Sequence, residues 1–73
     1  MTLEERRIAS GLRQTDVAEK LEVVQTAVSK WERGVNTPLE KYRKKLAKLY
    51  KCSVDDISRS CEESLQQTEA NSA

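Results

Sequence analysis

The segment from Gln14 to Gly34 restricts the folds open to this chain more than any other feature of the sequence. It reads as two short helices, over about Gln14–Leu21 and Gln25–Arg33, with a short connection between them and a glycine at the end. On a helical wheel of about 100° per residue, the second helix has one apolar and one polar face. The apolar face holds Val24, Ala27, Val28 and Trp31, and the polar face holds Gln25, Thr26, Ser29, Lys30 and Arg33.

The polar side chains of this second helix are of kinds that recognise nucleobases. Glutamine can hydrogen-bond adenine through two atoms, lysine can reach O6 and N7 of guanine, and threonine has a methyl group that can contact thymine. A helix that is anchored by Val28 and Trp31 and presents such groups on its other side has the layout of a helix that enters the DNA major groove. The pattern therefore predicts binding to double-stranded DNA.

Size and composition argue against an enzyme. A chain of 73 residues forms one domain and buries only about 60% of its extended surface on folding, which leaves little room for a catalytic cleft. The sequence contains no His, and Cys52 and Cys61 are too far apart for a metal-binding Cys-x-x-Cys pair. The commonest general base and the commonest metal ligand are thus missing. We expect no catalysis, no cofactor and no metal.

Composition also indicates a cytoplasmic, all-α protein. Two cysteines without a signal peptide fit a reducing cytoplasm, and no apolar run approaches the roughly 20 residues needed to cross a bilayer, so we expect no membrane association. Leu, Ala, Glu, Lys and Arg are abundant, with one Pro and two Gly. The charge is uneven, because residues 1–57 carry twelve Lys/Arg against nine Asp/Glu and residues 58–73 carry one Arg against three Glu. The part of the chain that is expected to fold is therefore mildly basic, and the acidic excess lies in the tail.

The N-terminal region predicts one further helix. Thr2 and Glu5 have the spacing of a capping box, which opens a helix that continues to about Ser10 and is closed by Gly11. Within it, Leu3 and Ile8 are expected to face inward. This helix would precede the two central ones.

The C-terminal half predicts two more helices. The fourth is expected from about Pro38 to Lys51, with proline in its first turn. Ser53 and Asp56 form a second capping box that opens the fifth. Its apolar residues follow a spacing of three, four and four and are Val54, Ile57, Cys61 and Leu65. We expect a domain over residues 1–58 and a C-terminal extension over 59–73, helical at first and disordered from about Gln66.

The connection between the two central helices is the least favourable part of the chain. Glu22 occupies the position where a sharp turn favours glycine, and Val24 lies where a Ser or Thr would cap the next helix. A non-glycine residue in the left-handed region and a missing cap each cost about 1 kcal/mol. Arg13, before the second helix, is likewise no cap. The sequence predicts a domain that is less stable than it could be.

The order of these features resembles the Cro/phage-repressor (XRE-type) helix-turn-helix family of phage and bacterial regulators. The resemblance extends over residues 3–57. It is carried by Gly11-Leu12, Gln14, Ala18, the run Val28…Trp31-Glu32-Arg33-Gly34, Pro38, Leu46-Ala47 and Ser53-Val54-Asp55. It implies a compact five-helix bundle of the lambda-repressor-like DNA-binding type, in which the second and third helices form the helix-turn-helix.

The resemblance also implies roles for individual residues. Base contacts would come from Gln25, Thr26, Ser29 and Lys30. Phosphate contacts would come from Gln14, Arg13, Arg33, Asn36 and Thr37. Structural roles would fall to a partly buried pair of Arg7 with Glu32, to Ala18 at the crossing of the two central helices, and to Val28 and Trp31 in the core. The chain departs from the family pattern at Glu22, at Val24, and at Arg6, where an apolar residue is frequent.

A single recognition helix covers too few base pairs to be specific in a genome. We therefore expect a homodimer that places two such helices about 34 Å apart on a palindromic operator. Its interface is expected on the fifth helix, at Val54, Ile57, Cys61 and Leu65.

The regulatory role has several alternatives. Repression of a promoter is the first expectation, and activation through RNA polymerase is open. An antitoxin with a partner toxin, or a controller protein that regulates its own operon, would use the same DNA-binding surface. An alternative of another class is a protein-interaction module that uses the fifth helix and the acidic tail without reading DNA.

Overall fold

A computed structural model describes the backbone of residues 1–72 and the side chains of residues 1–64. Five helices form in this part of the chain, and no strand does. They are α1 (Leu3–Ala9), α2 (Gln14–Leu21), α3 (Gln25–Arg33), α4 (Glu40–Leu49) and α5 (Val54–Ser72). The predicted all-α, five-helix architecture is confirmed. None of the described helices is long and apolar enough to span a membrane.

Both predicted capping boxes form. The Thr2 backbone N–H donates to Glu5 Oε1 at 2.8 Å, and the Glu5 N–H donates to Thr2 Oγ1 at 3.2 Å. Ser53 and Asp56 make the same reciprocal pair at the start of α5, at 3.3 and 3.0 Å. These bonds lower the pKa of Glu5 and Asp56 below the ordinary values of their carboxyl groups. Side chains close in sequence therefore define where α1 and α5 begin.

The fourth helix is shorter than predicted at both ends. The N–H groups of Tyr42 and Arg43 both donate to the carbonyl of Leu39, at 2.9 and 3.0 Å, so α4 begins after Leu39 and not at Pro38. Pro38 is fully buried beneath this start. At the other end, Lys51 adopts a left-handed backbone with φ 57°, which stops the helix before it.

The core lies where α3, α4 and α5 meet α1 and α2. α5 packs against α1, α3 and α4, and α2 packs against α3 and α4. The buried apolar residues are Leu3, Val17, Ala18, Leu21, Val28, Trp31, Leu46, Ala47, Tyr50, Ile57 and Cys61. The ring of Trp31 lies 5.5 Å from that of half-buried Tyr42, centroid to centroid, which joins α3 to α4.

Two residues that were expected to face inward do not. Ile8 is 60% exposed, and Val24 is 70% exposed. Val24 is the N-cap of α3 and has an extended backbone, with φ −76° and ψ 151°. A helical wheel does not describe a residue in that conformation, so its apparent place on the apolar face was an error.

The fifth helix is part of the folded core beyond the predicted boundary at residue 58. α5 passes this point without a break, and Ser60, Cys61 and Ser64 are buried. Ser60 Oγ accepts a hydrogen bond of 2.6 Å from Nε of Arg6, the residue at which the family pattern favours an apolar side chain. In the described backbone α5 continues past Gln66 to Ser72, and the disorder predicted from Gln66 onward stays a prediction.

The same packing bears on the residues predicted for a dimer interface. Ile57 is 0% exposed and Cys61 is 5% exposed within the single chain. Because their side chains already lie in the core of their own protomer, they leave no free surface for a second copy. Val54 is half-buried against the same core, and the side chain of Leu65 lies outside the described residues. The spacing of three, four and four thus identified a face that is buried within the protomer at Ile57 and Cys61, and the dimer interface itself stays a prediction.

Candidate nucleic-acid interface

The polar face of α3 is open to solvent. Gln25, Thr26 and Lys30 are exposed, and Ser29 is half-buried. On the opposite side of the same helix, Val28 is 1% and Trp31 is 7% exposed. The division predicted from the helical wheel is therefore present, and the four residues predicted to contact bases lie on one accessible surface of the molecule.

A tight turn sets α3 against α2. Glu22 adopts the left-handed conformation, with φ 58° and ψ 43°, at the position where the sequence lacks the expected glycine. The Val23 N–H then donates to the carbonyl of Ala18 at 2.9 Å. Ala18 is buried, with 5% exposure, which agrees with the expectation that α2 and α3 pack closely at a small residue. The turn geometry forms despite its backbone strain.

A buried ion pair lies behind this surface. Arg7 Nε donates to Glu32 Oε2 at 2.7 Å, and an Arg7 terminal nitrogen donates to the Leu12 carbonyl at 2.9 Å. Glu32 is 5% exposed. The hydrogen bond with the Glu32 carboxylate raises the pKa of Arg7 above its ordinary value. The geometry agrees with the predicted structural pair, which ties α1 to α3.

Glutamines extend this pair to the surface. Gln14 Nε2 donates to Glu32 Oε1 at 2.9 Å, and Gln25 Nε2 donates to Gln14 Oε1 at 3.4 Å. The last contact is longer than an ideal N–H···O bond, so it orients the Gln25 amide without holding it tightly. One hydrogen-bonded chain thus connects Arg7 and Glu32 in the interior with Gln25 on the exposed face.

The glutamines also border a shallow surface recess of about 220 Å³. Its lining consists of Gln14, Gln25, Thr26 and Ser29. Gln14 begins α2, so the positive end of that helix faces the same region. The recess therefore combines amide and hydroxyl groups with a helix N-terminus, and it lacks the titratable groups of a catalytic site.

Residues predicted to contact phosphates flank α3 on its C-terminal side. Arg33, Asn36 and Thr37 are all exposed. The Arg33 guanidinium donates through Nε to Ser29 Oγ at 3.2 Å, which directs the arginine along the polar face of the helix. Arg33 thus lies one helical turn after Ser29, and Asn36 and Thr37 lie in the loop between α3 and α4.

Arg13 lies at the start of α2 and is 83% exposed at its side chain. Its Nε is 3.3 Å from Asp16 Oδ2, and the same carboxylate oxygen accepts the Arg13 backbone N–H at 2.9 Å. The hydrogen bond to Asp16 raises the pKa of Arg13. Asp16 thus makes one half of a capping box, the bond to the backbone N–H of the N-cap residue, and an arginine cannot make the other half, the bond to the Asp16 N–H. The sequence reading missed this bond, although the spacing of three residues signals it.

The sequence reading missed two further features of this surface. The contacts of Gln14 with Glu32 and Gln25 join residues far apart in the chain, and no local pattern indicates them. The exposure of Val24, directly before Gln25, is the second missed feature. The absence of a capping side chain at this position was the signal that could have indicated it.

Neither cysteine has the surroundings of a reactive thiol. Burial raises the pKa of Cys52 and of Cys61, which disfavours their thiolates. Among the residues with described side chains, no group of His, Cys, Asp and Glu could hold a metal ion. The chemistry available at this surface is hydrogen bonding and positive charge.

A family model described as Helix-turn-helix matches residues 3–57 of the chain. This range contains α1 to α4, the start of α5, the Arg7–Glu32 pair and the whole exposed face of α3. No curated protein and no solved structure matches the chain significantly.

Removing Arg7 should strongly destabilise the fold. Arg7→Met leaves the Glu32 carboxylate buried without its cation, and we expect the free energy of unfolding to fall by about 3–5 kcal/mol. Urea denaturation followed by far-UV circular dichroism measures this loss. The double variant Arg7→Met, Glu32→Leu should recover part of it, since no charge is then left unpaired.

Arg13→Met is the matched control, because the Arg13–Asp16 pair is exposed and should matter little to stability. Equal losses for Arg7→Met and Arg13→Met would contradict the structural role of the buried pair.

Proposed function

Because this chain belongs to the Cro/C1-type (XRE) helix-turn-helix family of DNA-binding transcription regulators, we propose that it reads a specific DNA sequence by placing α3 in the major groove. The observation that supports this most directly is the accessible polar face of α3, with the amide of Gln25 oriented by Gln14. The major groove is about 12 Å wide and admits an α-helix. The α3 helix has nine residues, and its apolar side is buried, which leaves its polar side free to enter the groove.

Gln25 is the proposed reader of an adenine. Its amide nitrogen carries two hydrogens, and one of them is directed to Gln14. The second hydrogen can bond adenine N7 while the amide oxygen accepts from the N6 amino group, which is the bidentate pairing of glutamine with adenine. The long contact with Gln14 favours this orientation of the amide before DNA binds, which reduces the conformational entropy lost on binding.

Lys30, Thr26 and Ser29 complete the proposed base-facing group. The exposed ammonium of Lys30 can donate to O6 and N7 of guanine, and Thr26 offers a methyl group and a hydroxyl. The Ser29 hydroxyl accepts from Arg33 and keeps its own hydrogen for an acceptor on the DNA. These three residues would specify the base pairs next to the one read by Gln25.

The proposed phosphate contacts surround this group. Gln14 uses one amide hydrogen for Glu32 and retains the other, which can reach a phosphate at the N-terminus of α2. Exposed Arg33, Asn36 and Thr37 would bind phosphates beyond the C-terminal end of α3, and Arg13 one beyond the start of α2. Such contacts hold the helix in register without reading sequence.

We propose that the working unit is a homodimer that binds a palindromic operator in the cytoplasm and represses transcription from it. One α3 covers only a few base pairs, and two of them related by two-fold symmetry give the specificity that regulation requires. Since Ile57 and Cys61 lie in the core of the protomer, the interface would use other residues of α5 or other exposed apolar groups such as Leu39, which is 64% exposed.

The dimer is tested by selecting bound duplexes from a random DNA pool and counting protomers on the winning sequence by sedimentation velocity. We expect a two-fold symmetric site whose half-sites are about 10 base pairs apart, centre to centre, and two protomers per duplex. An asymmetric site that binds one protomer would contradict both the palindrome and the homodimer.

Gln25→Ala should weaken binding to the selected operator by about 1–3 kcal/mol and leave binding to a scrambled duplex nearly unchanged. Fluorescence anisotropy at one fixed salt concentration measures both affinities. Glu62→Ala is the control, because Glu62 is exposed and belongs to α5, which is not part of the proposed surface. An equal loss on both duplexes would mean that Gln25 reads no base.

Arg33→Ala should weaken binding to operator and scrambled DNA alike, because a phosphate contact carries no sequence information. The slope of log affinity against log salt should become shallower by about one. Arg59→Ala removes the same charge from an exposed position on α5 and should leave the slope unchanged. Identical slopes for the two variants would remove Arg33 from the phosphate-binding group.

A further inference from the structure

Val24 is the most exposed large apolar side chain among the residues with described side chains, at 70%. It is the N-cap of α3, and it makes no side-chain hydrogen bond to the helix. A Ser, Thr, Asp or Asn at this position would stabilise the first turn. Valine at this position is thus unfavourable for the helix and lies outside the core, so a contribution to stability does not explain its presence.

The backbone holds Val24 at the edge of the proposed recognition surface. Its carbonyl accepts the N–H of Ala27 at 3.0 Å, which places it on the first turn of α3. Its extended backbone turns the side chain away from the buried side that Val28 occupies. Gln25 follows it directly and lines the recess together with Gln14 and Thr26. An isopropyl group is therefore exposed to solvent one residue before Gln25, which lines the recess.

We propose that Val24 is a specificity-determining residue, which contacts the C5-methyl group of a thymine next to the base pair read by Gln25. This inference rests on the proposed function, and it adds a base-reading residue outside the polar face. Valine can neither donate nor accept a hydrogen bond through its side chain, so phosphates and most base edges give it no favourable contact. The thymine methyl is the apolar group that an unmodified base pair presents in the major groove.

The proposal explains why a cap is absent where a cap would help. Burying the valine methyls against a thymine methyl removes apolar surface of both partners from water. A serine at this position would stabilise free α3 but would offer no matching surface to the methyl group. Helix stability and thymine recognition therefore respond in opposite directions to Val24→Ser, which separates this role from a structural one.

The test replaces each thymine of the selected operator with deoxyuridine, one at a time, and so removes single methyl groups. For the full wild-type chain, one such replacement should weaken binding about three- to fivefold, as expected for about one buried methyl group. For Val24→Ser the same replacement should have no effect, while the midpoint of thermal unfolding rises. Affinities are measured by fluorescence anisotropy at fixed salt.

Two control variants assign the effect to this residue. Val35→Ser changes another exposed valine, 57% accessible, beyond the C-terminal end of α3, and it should keep the full sensitivity to deoxyuridine. Thr26→Ser removes the other methyl group near Gln25 and should keep the sensitivity at the position assigned to Val24. Retention of that sensitivity in Val24→Ser would overturn the assignment, and its loss in Thr26→Ser would assign the methyl contact to Thr26.

The remaining outcomes separate this inference from the proposed function. If the wild-type chain discriminates operator from scrambled DNA but tolerates every deoxyuridine, the inference fails and the proposed function stands. If the random pool yields no preferred duplex, the proposed base readout fails, and the inference fails with it.

Discussion

The carboxylate of Glu32 is the point on which the arrangement of the first three helices depends. One of its oxygens accepts from Arg7 of α1 and the other from Gln14 of α2, while Glu32 itself belongs to α3. A carboxylate with 5% exposure is unfavourable unless its charge is paired and its oxygens are hydrogen-bonded. The observed packing of the three helices meets this requirement.

The same chain of bonds links stability to recognition. Gln14 contacts Glu32 with its amide nitrogen and Gln25 with its amide oxygen. The orientation of a surface amide is thereby coupled to a buried charge. The family match indicates DNA binding. The structure gives a physical reason for the orientation of the Gln25 amide, because its neighbour Gln14 is hydrogen-bonded to buried Glu32. Strain at Glu22 and the uncapped start of α3 are tolerated because Val28 and Trp31 anchor the helix in the core.

Prediction from sequence succeeded where the cause was local. The capping boxes at Thr2 and Ser53 depend on residues three positions apart, and both formed as expected. It failed where the cause was a backbone conformation, as at Val24, because a helical wheel assumes a helix. A regular apolar spacing, as at Ile57, shows that a face is covered but not which surface covers it, and in the single chain the protomer's own core covers Ile57.

The five helices, the capping boxes at Thr2 and Ser53 and the polar face of α3 could be predicted from the amino-acid sequence, because they follow from spacing within single segments. The tertiary structure alone decided that α5 covers the core of its own protomer and that Arg6 finds a partner in Ser60. It also decided that Gln14 joins Glu32 to Gln25. Periodicity gives the angle of a side chain around its own helix axis, whereas these contacts depend on how separate helices approach each other, and no spacing within one helix contains that information.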